Sequence, residues 1–312
     1  MSSEEQVFDP TAVDSIDQDS VETTGPQFPT IQWCYGNQAL KKVGGMDYQG
    51  GWFIPDDQVD NEVLTAAGWE ATTWEHAGGT SQDGFYRREI AVSVIAARKR
   101  WEVYGDNGSQ AFAWDSFEDA KKVGRPTSRT HALVMVKGLE DVGPFVLTLK
   151  GMAAMAFEGT RSQEGALTKF ATTVIRAANN ASDETAKAKG GRGGKRWPYR
   201  AFWLPVGADR NDKGEPVFTE VGRGKDTSHV VLPVSLGLPA KADSVQLGKF
   251  YVGNGLLAEV NELQTDAEES WTHAWDTISD DQRELSGGAT TEEATEDDTA
   301  GVDEDALSAL GL

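Results

Sequence analysis

Phe85–Tyr104, FYRREIAVSVIAARKRWEVY, carries the strongest strand pattern in the chain. Its middle is apolar on both sides, as in a strand buried within a sheet: Ile90, Val92, Val94 and Ala96 fall on one face, and Ala91, Ser93, Ile95 and Ala97 on the other. Toward its end the segment turns basic and aromatic at Arg98, Lys99, Arg100 and Trp101. Such a strand is anchored in the body and reaches toward a groove, although charge at a strand end also serves solubility alone.

Around this strand the pattern is β-rich. IQWCYGNQALKKVGGMDYQGGWFIP (31–55) reads as two short strands joined by Gly-rich turns, followed by a short helix or turn near Asp56–Ala67. After it come a short helix from Asp115-Ser116 to Lys122 and a loop containing Arg125, Arg129 and His131. Two strands follow, Ala132–Lys137 and Phe145–Lys150, split by the turn GLEDVGP. Leu167, Phe170, Ala171, Val174, Ile175 and Ala178 recur at helical spacing and predict an amphipathic helix over 162–178, ending at Asn179-Asn180. Extended segments at Trp203–Val206, Val217–Val221 and His229–Val234 complete the body. A last helical region follows Asn254; Thr265 and Glu268 have capping-box spacing, and Leu263, Ala267, Trp271, Ala274, Trp275 and Ile278 form its apolar stripe. Together these predict a β-rich α+β fold: an OB-fold-like small barrel with an inserted helix, a C-terminal helix and disordered acidic tails.

Charge divides the chain further. The net charge is -21, yet residues 1–24 hold seven acids and no base, and residues 262–312 hold sixteen acids against Arg283 alone. The arms therefore contribute -7 and -15, leaving about +1 for residues 25–261. The expected organisation is a disordered acidic arm (1–27), a binding body (28–262), a C-terminal helix (263–285) and a disordered acidic tail (286–312) with Leu307, Leu310 and Leu312 at its tip. Overall acidity does not argue against an anionic ligand when the body is neutral and can carry a local basic face.

That basic face is expected at KAKGGRGGKRWPYRAFW (187–203). It holds six cations, no acid, and Trp197, Tyr199, Phe202 and Trp203 in its second half. Flexible glycines let a backbone follow an irregular anion, cations track phosphates, and flat rings stack on bases, which is what binding single-stranded nucleic acid requires. Arg192, Lys195, Arg196 and Arg200 are the candidate phosphate contacts; Trp197, Tyr199 and Trp203 are the candidate stacking rings; Arg98, Arg100 and Trp101 form a second tier. The same stretch also fits a Gly-rich loop entering a core strand whose aromatics are buried.

Signals for other chemistry are few. Gly194-Lys195 and Gly224-Lys225 lack the remainder of a phosphate-binding loop, and HExxH, G-x-S-x-G and dinucleotide fingerprints are missing. His76, His131, His229 and His273 are scattered, and Cys34, the single cysteine, reads as a buried structural thiol, so neither disulfide nor cysteine-built zinc site is expected. No enzyme activity, metal or cofactor is expected. The N-terminus lacks the pattern of a secretory signal and no run reaches the roughly 18 apolar residues of a membrane span, so a cytoplasmic protein without a membrane partner is expected.

The layout resembles the single-stranded DNA-binding proteins of bacteria and their phages and plasmids. The resemblance rests on the basic-aromatic stretch from Lys187 to Trp203, the linker glycines Gly287-Gly288, the acids from Glu292 to Asp305 and the terminal ALSALGL. It implies an OB-fold body whose acidic tail recruits replication or recombination proteins and competes with DNA for the groove. The chain closes on Gly311-Leu312 rather than the familiar Pro-Phe, which leaves the partners open. RNA is not distinguished from DNA, and oligomeric state is not encoded legibly. Two other classes fit the same residues: a non-catalytic interaction or structural accessory protein of a phage or plasmid, and a carbohydrate-binding β domain, since ten Trp and many Gly suit sugar stacking. Salt-insensitive binding would favour either over nucleic acid.

Overall fold

The computed structural model describes residues 28–75, 81–104, 111–114, 116–160, 163–191, 193–221 and 227–265. In chain order the elements are β1 (Thr30–Cys34), α1 (Met46–Gln49), β2 (Gly51–Pro55), α2 (Asn61–Ala66), β3 (Glu70–Glu75), β4 (Ser81–Arg87), β5 (Glu89–Tyr104) and β6 (Ala111–Trp114). They continue with α3 (Phe117–Val123), β7 (Thr127–Val136), β8 (Phe145–Lys150) and α4 (Met152–Glu158). One long helix follows in three segments: α5 (Ala166–Phe170), a π-helical turn (Ala171–Ile175) and α6 (Arg176–Ala188). The remainder is β9 (Leu204–Ala208), β10 (Thr219–Val221), β11 (Ser228–Val230), β12 (Pro233–Ser235), α7 (Ser244–Phe250) and α8 (254–265).

Among the described residues, ten strands form one mixed sheet in the order β12-β9-β5-β7-β8-β1-β2-β4-β3, with β6 paired to the far end of β5. All pairs are antiparallel except β1 with β8. The sheet curls into a half-barrel. Two indoles hold the curl across its interior: Trp52 of β2 donates to the Val206 carbonyl of β9 at 3.1 Å, although β5, β7, β8 and β1 lie between these strands in the sheet. Trp33, opposite Trp52 in register and edge-on to it at 4.8 Å, donates to the Val231 carbonyl. Buried indole N–H groups need acceptors: Trp52 finds its own across the curl, and Trp33 finds Val231, whose amide donates in turn to the Gly36 carbonyl just beyond β1 at 2.9 Å.

Phe157 of α4, with Phe170, Val174 and Ala178 of the long helix, fills the inner face together with Val92, Val94, Val134 and Leu147. On the outer face a smaller cluster joins Ile95, Leu133, Met135 and Trp203 to Val260 of α8. Cys34 packs on Met46, Phe53 and Tyr86 in a third, and burial pushes its thiol pKa up.

This β-rich α+β fold departs from the expected layout at several points. The sheet is larger than a small closed barrel, and β7 begins at Thr127, so Arg129 and His131 lie in a strand rather than a loop. A bulge between Val94 and Ala96 shifts the β5–β7 register, so Ala96 lies opposite Leu133 on the outer face and not beside Val94. The helix does not end at Asn179-Asn180 but runs ten residues beyond Ala178, to Ala188. Thr265 sits inside α8, its hydroxyl donating to the Asn261 carbonyl at 3.3 Å, and is not an N-cap. The helix beyond 265 and both acidic arms lie outside the described residues.

Candidate nucleic-acid interface

The basic stretch begins at the end of α6, where Gly190 takes the left-handed conformation (φ 77°) and the Gly191 amide closes on the Ala186 carbonyl at 2.8 Å. The chain then doubles back along the helix it has left. Asn179 and Asp183, one turn apart on the same face of α6, are the docking points. Asn179 Oδ1 accepts the Trp197 amide at 2.8 Å, and Asp183 accepts the Gly194 amide at 2.8 Å and the Arg196 guanidinium at 3.0 Å. Gly194 passes so close that a Cβ there would lie 2.3 Å from the Ser182 backbone, which only glycine allows. The Gly194 N–H, then the Arg196 cation, hold the Asp183 carboxyl below its usual range.

Lys195 and Arg196 are exposed on this returning strand, and Trp197 is half-buried. Trp197, Phe202 and Tyr251 form an aromatic triangle of edge-to-face contacts with centroids 5.8 to 6.0 Å apart, and Lys195 Nζ lies 6.0 Å from the Trp197 centroid. Tyr199 is 40% exposed. Arg200 is directed elsewhere: Nε donates to Asn261 of α8 at 2.6 Å, and its carbonyl accepts the Ser93 hydroxyl. Trp203, a candidate stacking ring, is 6% exposed and belongs to the core beneath α8, so its faces are occupied. Arg192 lies outside the described residues, as do Leu307, Leu310 and Leu312.

Beside the triangle a cleft of about 690 Å³ opens between α6, the returning strand and α7. Sequence reasoning missed α7. Its signal was present in Asp243 and Gln246, whose side chains each accept the other's backbone amide in a capping box.

The second-tier residues divide between the two faces of the sheet. Beyond the bulge, register pairs Arg98 with His131 and Arg100 with Arg129, and β8 adds Lys150 opposite Arg129, so these side chains share the outer face. Arg100 is only 3% exposed. Arg129 holds Glu102 through two nitrogens, at 3.0 and 2.9 Å. Burial, then the Arg129 cation, push the His131 pKa down to about 4, with Glu102 acting in the opposite sense. Trp101 is on the inner face, edge-on to Phe117 of α3 at 4.8 Å and 5.1 Å from Lys99 Nζ. The structure therefore assembles Lys195, Arg196 and Trp197 along α6, leaves Tyr199 exposed on the turn that follows, and places Arg98 and Arg100 elsewhere.

No protein-family model matches the chain, and no curated protein or solved structure is significantly similar to it. Among the described residues, no group of three or more His, Cys, Asp or Glu is placed to hold a metal ion, and no helix is long and apolar enough to cross a membrane.

Proposed function

We infer that the chain is a non-catalytic, cytoplasmic protein that binds single-stranded nucleic acid, DNA in the first instance, and protects or organises strands in replication or recombination. The observation that carries the reading is the run Lys195-Arg196-Trp197, two exposed cations and a half-buried indole held against α6 by Asn179 and Asp183. Cations beside a fixed ring serve a phosphate backbone and a base at once, without reading sequence. Arg98, Arg100, Arg129 and Lys150 share the outer face with Glu102, which pairs with Arg129, and they enter the same proposal as its second tier. The acidic tail is the built-in competitor for this surface, and its apolar tip the handle for partner proteins. The OB-like reading of the half-barrel belongs to the same proposal.

The test is intrinsic Trp fluorescence during titration with a short single strand and then the matching duplex, at low and moderate salt. Quenching by the single strand alone, weakened by salt, is the expected result; no change with either ligand overturns the reading.

A further inference from the structure

The wall of the cleft between α6 and α7 includes a glycine that the fold does not need. Gly248 sits within helix α7, where glycine costs about 1 kcal/mol relative to alanine. Its φ lies outside the left-handed region, and a Cβ built on it meets no heavy atom within 4 Å. Neither backbone conformation nor packing requires glycine at this point. What glycine does achieve there is a lower wall, which lets a ligand approach the α7 backbone.

The other walls define that ligand. Trp197 and Tyr251 supply flat aromatic surface, Lys189 and Lys195 bring positive charge, and Asn254, whose Oδ1 accepts the Tyr251 hydroxyl at 2.5 Å, adds a polar group. The acid nearest the returning strand, Asp183, is engaged by Gly194 and Arg196. The volume of about 690 Å³ is within the range of small-molecule sites. Aromatic walls combined with a cationic rim complement a flat ring that carries an anion. We propose that this cleft takes one unstacked nucleobase of the bound strand, with the adjoining phosphate at Lys195; the proposal rests on the strand-binding reading above and assigns the place where a base is held.

Gly248→Leu projects a side chain into the cleft and, by raising helix propensity, favours α7; Gly248→Ala is the milder variant. Both are compared with the parent protein by anisotropy of a labelled oligothymidylate and of an abasic strand of equal length, with thermal unfolding as the control for folding. The parent is expected to prefer the base-bearing strand, and Gly248→Leu to weaken that strand by about ten-fold while leaving the abasic strand and the salt slope unchanged, with Gly248→Ala between. Parent-like binding of oligothymidylate by Gly248→Leu overturns the base pocket and leaves strand binding intact. A parent protein that binds neither strand overturns both. A peptide of residues 292–312 that binds the parent but not Gly248→Leu, with strand binding unaffected, overturns the proposal in favour of the chain's own tail as occupant.

Discussion

The Asp183 carboxylate and the Gly194 amide meet at 2.8 Å across the return of the chain along α6. Because folding lowers the Asp183 pKa, this interaction is at full strength above the ordinary value of 3.8 and weakens as pH falls through the depressed folded value. Amide exchange at Gly194 is expected to stay slow at neutral pH and to lose its protection in Asp183→Ala, where strand affinity should fall with it. Unchanged exchange in the variant would mean that the glycine packing alone holds the loop.

Trp197 and Lys195 should separate the two components of binding. Trp197→Ala is expected to cost about 1–3 kcal/mol with little change in salt dependence, since a stacked base carries no counterion. Lys195→Ala should instead flatten the plot of log affinity against log salt by about 0.7 for each phosphate that is no longer neutralised. Salt-series titrations of both variants provide the check.

Trp203 should behave differently from Trp197. Its ring is part of the outer-face core, so Trp203→Ala is expected to destabilise the fold by about 3–5 kcal/mol in denaturant unfolding. Residual folded protein should still bind strands.

His131 gives the body a pH response distinct from that of the arms. Its pKa falls from 6.5 unfolded to about 4 folded, so the unfolded chain binds the extra proton between these values and stability declines as pH drops from 6.5 to 4. The decline is at most about 3 kcal/mol. Unfolding midpoints at pH 7, 5.5 and 4.5 should show this slope in the parent, and His131→Gln should flatten it.

Deleting residues 286–312 removes eight acids and should tighten strand binding, most at low salt. Identical or weaker affinity in the truncated protein would contradict a competitor role for the tail.

The period-2 pattern of β5 was legible because both faces of a central strand are buried, and Phe145–Lys150 matches the strand expected there from end to end. The bulge was not legible. Val94-Ile95-Ala96 contains no glycine or proline to mark it, and only the register against β7 reveals it, yet it places Arg98 and Arg100 on the outer face. The end of α6 was misread because Asn179-Asn180 resembles a stop, whereas Asn179 is a mid-helix residue whose side chain holds the returning strand. The basic-aromatic stretch was visible as a composition. Which of its rings is open depended on α7 and α8, elements beyond it in the chain that bury Trp203 and leave Trp197 beside a cleft.

The parallel pairing of β1 with β8 sets an order of events for a chain emerging from the ribosome. Ile31 can meet Phe53's neighbours on β2 early, but its other flank waits for Leu147, and the Trp33 indole waits for Val231. Strand β1 is therefore among the last of the described strands to be enclosed, with apolar surface uncovered while most of the chain is made.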